Sequence, residues 1–188
     1  MLGSNATNSY LNDTINNSYT GIYFLGNATY PDATCSISGC EIGANAGNDI
    51  GNGTAQTWGI RVANQNGVIV DDNLVRNVTA GSTTDGIFLE LGQGTCQISN
   101  NVVMSIRNSS ATSTLQASGI RASLSALVGS HASRIYNNMV SNITSGYTGA
   151  ATATRIIRGI NIITGCAIAS THNVHFNSVN VDGTASPN

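Results

Sequence analysis

Apolar and polar positions alternate along this chain in short runs, and the runs repeat. A Gly-Ile pair opens the clearest of them: Gly21-Ile22, Gly59-Ile60, Gly86-Ile87, Gly119-Ile120 and Gly159-Ile160. The residues after each pair alternate, as in Gly59-Ile60-Arg61-Val62 and Gly86-Ile87-Phe88-Leu89, which is the period of a β-strand. The alternation predicts an internal stack of Ile22, Ile60, Ile87, Ile120 and Ile160 and a second of Phe24, Val62, Leu89, Ala122 and Ile162. Between them it predicts an outward column of Tyr23, Arg61, Phe88, Arg121 and Asn161.

An asparagine-bearing apolar run follows each pair, as in Val70-Asp71-Asp72-Asn73-Leu74-Val75, Ile98-Ser99-Asn100-Asn101-Val102-Val103 and Ile135-Tyr136-Asn137-Asn138-Met139-Val140. Its aliphatic residues Ile42, Val75, Val103, Val140 and Val179 align, with Val78, Ile106 and Ile143 forming a further column. Copies recur about 27 to 40 residues apart, and β-like repeats of that size imply a stacked solenoid. Helical apolar periodicity is missing, and glycine and β-branched residues dominate. Counting a partial coil at Tyr10-Leu11-Asn12-Asp13-Thr14-Ile15, the expected fold is all-β, a parallel β-helix of about five to six coils roughly 25–30 Å long.

Asn73, Asn101, Asn138 and Asn177 form one column, with Asp13 and Cys40 as departures. Asparagine tolerates the left-handed backbone of a sharp corner, and stacked amides can hydrogen-bond to one another. The expected role is a structural asparagine ladder. Inserts at 45–57, 109–118 and 145–157, rich in Gly, Ala, Ser, Thr and Asn, are expected to protrude as loops.

The Gly-Ile-x-apolar strand, the Ile-x-Asn-Asn-x-Val turn and the Ile/Val strand after it resemble right-handed parallel β-helix repeats of the pectate-lyase-like superfold. The resemblance spans about residues 10 to 183. That superfold is shared by polysaccharide lyases, glycoside hydrolases, phage tailspikes and large secreted bacterial surface proteins, and fold alone does not choose among them. The low-charge, Asn/Thr/Ser-rich style is most similar to the surface proteins. The resemblance implies a right-handed solenoid and an extracellular or cell-surface setting.

Composition narrows the partners. Only 9% of the 188 residues are charged, against about 25% in ordinary soluble domains. Lysine is absent and the net charge is −2, so neither nucleic acid nor an anionic membrane surface is an expected partner. No apolar run approaches the length of a membrane span. Both ends lie in repeat-like sequence without an amphipathic cap, so residues 1–188 are expected to be one segment of a longer chain, with 1–9 and 184–188 frayed.

Catalytic constellations are hard to assemble. Strand alternation separates Asp71 from Asp72, Asp85 from Glu90, and His172 from His175. Calcium needs six to eight oxygen ligands, a transition metal three or four convergent ones, and a glycosidase two facing carboxylates. No metal and no cofactor is therefore expected. Cys35 and Cys96 share a column two coils apart, about 10 Å, beyond disulfide reach. Buried thiols and a Cys35–Cys40 bridge across a turn both remain open, and Cys166 is the fourth cysteine. Sequons such as Asn27-Ala28-Thr29, Asn77-Val78-Thr79 and Asn142-Ile143-Thr144 are no more than this composition generates.

Tyr23, Arg61, Phe88 and Arg121, with Trp58 beside Gly59, form the candidate ligand-binding face. Aromatic rings stack on sugars and arginine bonds hydroxyls or carboxylates. The expected function is a non-enzymatic structural or adhesive segment that pairs with copies of itself into filaments. The alternative is a carbohydrate-binding or carbohydrate-active β-helix whose partner is a polysaccharide.

Overall fold

The computed structural model describes residues 8–47, 49–51, 53–112, 115–126, 130–146, 157–163 and 169–181. Three long parallel sheets form its faces, and the chain visits them in rotation. The glycine sheet holds Ile22–Leu25, Thr57–Ala63, Thr84–Gly92, Ala117–Leu124 and Ile157–Ile163. The pre-corner sheet holds Ser9–Leu11, Ser36–Ser38, Ile69–Asp71, Thr95–Ser99, Ala132–Tyr136 and Thr171–His175. The post-corner sheet holds Thr14–Ile15, Glu41–Ile42, Leu74–Ala80, Val102–Asn108, Met139–Ser145 and Ser178–Asn180. A small fourth sheet pairs Asp32–Ala33 with Gln65–Asn66. The fold is a parallel β-helix. Ser9, placed in the frayed end by its sequence position, already pairs with Ser36.

Register turns the sequence columns into physical stacks. Ile22, Ile60, Ile87, Ile120 and Ile160 are successive partners across the glycine sheet, and Ile42, Val75, Val103, Val140 and Val179 across the post-corner sheet. Ile60, Ile87, Ile120, Val75, Val103 and Val140 are completely buried. Each such aliphatic side chain contributes about 1.5–3 kcal/mol through burial.

The glycines of the Gly-Ile pairs are set by close approach between two sheets. A Cβ at Gly59, Gly86, Gly119 or Gly159 would collide with Val75, Val103, Val140 or Val179, and one at Gly21 with Ile42. Gly86 and the fully buried Ile87 therefore both face the interior, so alternation slips by one position there.

The corner between the other two sheets divides its work between two residues. The left-handed backbone belongs to Asn12, Asp72, Asn100, Asn137 and Phe176, with φ from 54° to 56°, and to Gly39 at 66°. This corrects the expectation that the Asn73 column itself carries the left-handed turn. That column occupies the next position and points inward: Asn73, Asn101 and Asn138 are at most 2% exposed. Asn73 Nδ2 donates to Asn101 Oδ1, Asn101 Nδ2 to Asn138 Oδ1 and Asn138 Nδ2 to Asn177 Oδ1, each at 2.9 Å. The same acceptors take the backbone N–H groups of Asn73, Asn101 and Asn138 at 3.0–3.1 Å. The amides also donate to the carbonyls of Ile37, Val70, Ile98 and Ile135 at 2.9–3.0 Å. Phe176 is the outlier among the left-handed residues, since bulky side chains rarely adopt that conformation, and it is 84% exposed.

A second left-handed column, Asn77, Ser105 and Asn142, lies within the post-corner sheet. It resets alternation, which is why Val78, Ile106 and Ile143 return to the core three positions after Val75, Val103 and Val140. The insert at 45–57 is not wholly a protrusion. Its Ile50 is completely buried and bridges Ser18 and Val78. Most of the 145–157 insert lies outside the described residues, as does Cys166. Cys35, Cys40 and Cys96 are free thiols at 0–1% exposure, which removes the Cys35–Cys40 bridge. Burial pushes the Cys96 thiol up to about 11.

Two outcomes follow. Asn101→Ala leaves several buried ladder groups without partners and should cost about 3 kcal/mol or more. Asn137→Ala, at the exposed left-handed corner, should cost no more than about 1–2 kcal/mol. Urea unfolding checks the order of the two, and a costlier Asn137→Ala would overturn this division of labour. In a Cys166→Ser background, native protein should not react with Ellman's reagent, and the unfolded chain should release three thiols.

Candidate functional site

The outer face of the glycine sheet gathers all five residues of the sequence-derived candidate face. Register sets Tyr23, Arg61, Phe88, Arg121 and Asn161 side by side on successive strands. A parallel row runs Trp58, Asp85, Ser118, Arg158. Tyr23 and Trp58 stack with ring centres 6.4 Å apart. The Arg61 guanidinium carbon lies 4.6 Å from the Tyr23 ring centre and 4.2 Å from that of Trp58. Arg121 sits 3.6 Å over Phe88. These are cation–π contacts, and they divide the face into a Tyr23–Trp58–Arg61 group and a Phe88–Arg121 group. Tyr23 is 43% exposed, whereas Phe88, under Arg121, is only 6% exposed.

Carboxylates complete both groups. Arg61 Nε donates to Glu90 Oε2 at 2.7 Å, and Arg121 Nη2 lies 2.7 Å from Asp85 Oδ2. Strand alternation places Asp85 and Glu90 on opposite faces. The structure puts both on the outer face, because the inward Gly86-Ile87 pair shifts the alternation between them. The signal was in the sequence: the conformationally permissive glycine within an otherwise regular strand is where such a slip occurs. Arg158 donates to Asn161, and Asn161 Nδ2 donates to Gln116 Oε1 at 3.3 Å.

The two ion pairs differ in kind. Arg61 and Glu90 are partly solvated, at 19% and 28% side-chain exposure, so their pairing contributes up to about 1 kcal/mol. Asp85 is completely buried. Burial pushes its carboxyl up to about 7, against Arg121, Ser118 and Trp58, which favour the anion. Burial also lowers the Arg121 pKa, opposed by Asp85 and Glu90 and reinforced by Arg61.

The remaining candidates are scattered. Asp71 accepts from Ser99 Oγ and, at 2.8 Å, from Asn100 Nδ2, while Asp72 is a corner residue. His131 Nδ1 accepts from the Gly94 backbone at 3.1 Å. His172 Nδ1 lies 2.6 Å from the buried Ser133 Oγ, and burial lowers its pKa. His175 turns outward and stacks on Tyr136 at 5.4 Å. Among the described residues no three His, Cys, Asp or Glu side chains converge as metal ligands. Sequence reasoning missed a polar groove on the post-corner sheet, lined by Asn77, Thr79, Ser105, Arg107, Asn142 and Thr144. Only the second left-handed column, which widens the spacing of Val75 and Val78, hinted at it.

Asp85 has a definite effect on stability against pH. Its folded pKa lies above the unfolded value near 3.8, so its contribution is fully present below about pH 4 and is lost as the pH rises through about 7. The loss should be on the order of 4 kcal/mol. Urea unfolding between pH 4 and pH 8 should show this decline, and Asp85→Asn should flatten it. A wild-type profile that rises across that window would contradict the assignment.

Compared with known proteins, the chain matches no protein-family model, no curated protein and no solved structure.

Proposed function

We propose that this chain is a non-enzymatic structural or adhesive β-helix segment of an extracellular or cell-surface protein, able to pair with copies of itself, coil end to coil end, into filaments. The observation that carries the reading is the repetition of the core columns. The same glycine, aliphatic and asparagine columns run from coil to coil, and the outward charges of the glycine sheet are engaged with one another. A shaft needs uniformity, whereas a catalytic groove needs one coil to differ from its neighbours and to present unpaired acids to a substrate. The repeat also resembles the right-handed pectate-lyase-like superfold in its low-charge, Asn/Thr/Ser-rich surface-protein form, which supports the same setting.

A second reading is favoured by one feature, the Tyr23 ring. It is 43% exposed beside Trp58 and Arg61, and an open aromatic edge next to a guanidinium suits a sugar ring and its hydroxyls. On this reading the segment binds polysaccharide without cleaving it.

Electron microscopy of the purified chain over a concentration series separates the two. Ordered filaments with an axial repeat at a multiple of about 4.8 Å are expected. Dispersed monomers at every concentration, together with glycan-array binding that Arg61→Ala abolishes, would overturn the filament reading in favour of glycan recognition. Turnover of a bound polysaccharide would overturn both.

A further inference from the structure

One guanidinium on the glycine sheet has two tasks. Arg121 neutralises the completely buried Asp85 at 2.7 Å and covers the ring of Phe88 at 3.6 Å. Its side chain is only 13% exposed. The groups around Asp85 come from three strands: Trp58 and Arg61 on one side, Ser118 and Arg121 on the other, and Glu90 on its own strand. Arg158, in register with Ser118, is engaged by Asn161. Arg121 is thus held in a place poor in water chiefly by the charge of the buried Asp85, with Glu90 and the Phe88 ring adding to it.

We propose that Asp85, Arg121 and Phe88 form a proton-operated latch, in which protonation of Asp85 releases the Arg121 guanidinium to solvent and uncovers the Phe88 ring on the outer face of the glycine sheet. A neutral Asp85 no longer offsets the desolvation of Arg121. The Phe88 ring is then the main inward hold left on Arg121, against the more exposed Glu90, Arg61 and water. Glu90 attracts it and Arg61 repels it, and water solvates it. Glu90 is more exposed than Asp85 and is already paired with Arg61. Burial places that proton uptake near neutrality, at about 7. The open state lengthens the aromatic strip of Tyr23 and Trp58 by one ring. The latch stands whether the segment is a shaft or a glycan binder, since it rests on this cluster alone.

Two signals in the wild-type chain test it. Trp58 is the only tryptophan and its indole N–H lies beside Asp85, so its fluorescence should titrate reversibly between pH 5 and pH 9. The chain has three phenylalanines, so uniform 4-fluorophenylalanine labelling gives three fluorine resonances, assigned with Phe24→Leu and Phe176→Leu. A soluble gadolinium chelate should broaden the Phe88 resonance severalfold more at pH 5 than at pH 9. Phe176, 84% exposed, marks the fully open limit. Asp85→Asn should hold Phe88 open at both pH values, and Arg121→Gln should remove the pH dependence of the Phe88 signal. Flat Trp58 emission, or a Trp58 titration without any change at Phe88, would overturn the latch. Both outcomes can be read from the wild type even if a variant fails to fold.

Discussion

Everything in this molecule depends on parallel, in-register stacking. Strands about 4.8 Å apart give each side chain its own counterpart, one coil above and one below, as nearest neighbour. A residue that packs or bonds well against a copy of itself is favoured at every level. Isoleucine and valine satisfy this by stacking, and asparagine by donating to the next amide while accepting from the previous one. Charges do not satisfy it, because like charges would stack. The outer column of the glycine sheet shows the remedy. Aromatic residues separate its arginines, Tyr23, Arg61, Phe88, Arg121, and each guanidinium has a ring beneath it and a carboxylate beside it.

This constraint explains why so much of the architecture was legible in the sequence. Identity between coils is what stacking requires, so aligning the Gly-Ile pairs and the asparagines already aligned the strands. The glycines were visible as a repeat, but their reason lay across the core, in the approach of Val75, Val103 and Val140. What stayed hidden were local slips in alternation. The inward Gly86-Ile87 pair moved Asp85 to the face of Glu90, and the left-handed Asn77, Ser105 and Asn142 reset the post-corner sheet. At the main corner, two adjacent asparagines such as Asn100 and Asn101 look alike in sequence. One supplies a backbone angle and the other a buried amide. Ile50 was hidden because an insert rich in small polar residues gives no periodic signal.

The candidate site was legible as a column and illegible as chemistry. Alternation placed Tyr23, Arg61, Phe88 and Arg121 together, since that requires only the strand period. It could not show that Arg121 would spend its guanidinium on Asp85, because that contact runs diagonally between neighbouring coils. The outcome is a face whose acidic groups are each paired with an arginine, with Tyr23 as its open edge. A buried carboxylate in such a face is energetically exceptional.

The asparagine ladder also has a direction. In each amide-to-amide bond the donor belongs to the earlier coil and the acceptor to the one that follows it in sequence. At one extreme Cys40 can offer only its backbone N–H to Asn73, because its side chain has no amide. At the other, Asn177 spends its amide on the carbonyls of Ile135 and His175. The coil column is thus a vector, and its two faces are chemically unlike. Any further coil laid on it, from this chain or another, must keep the same sense of travel, so growth along this axis is polar.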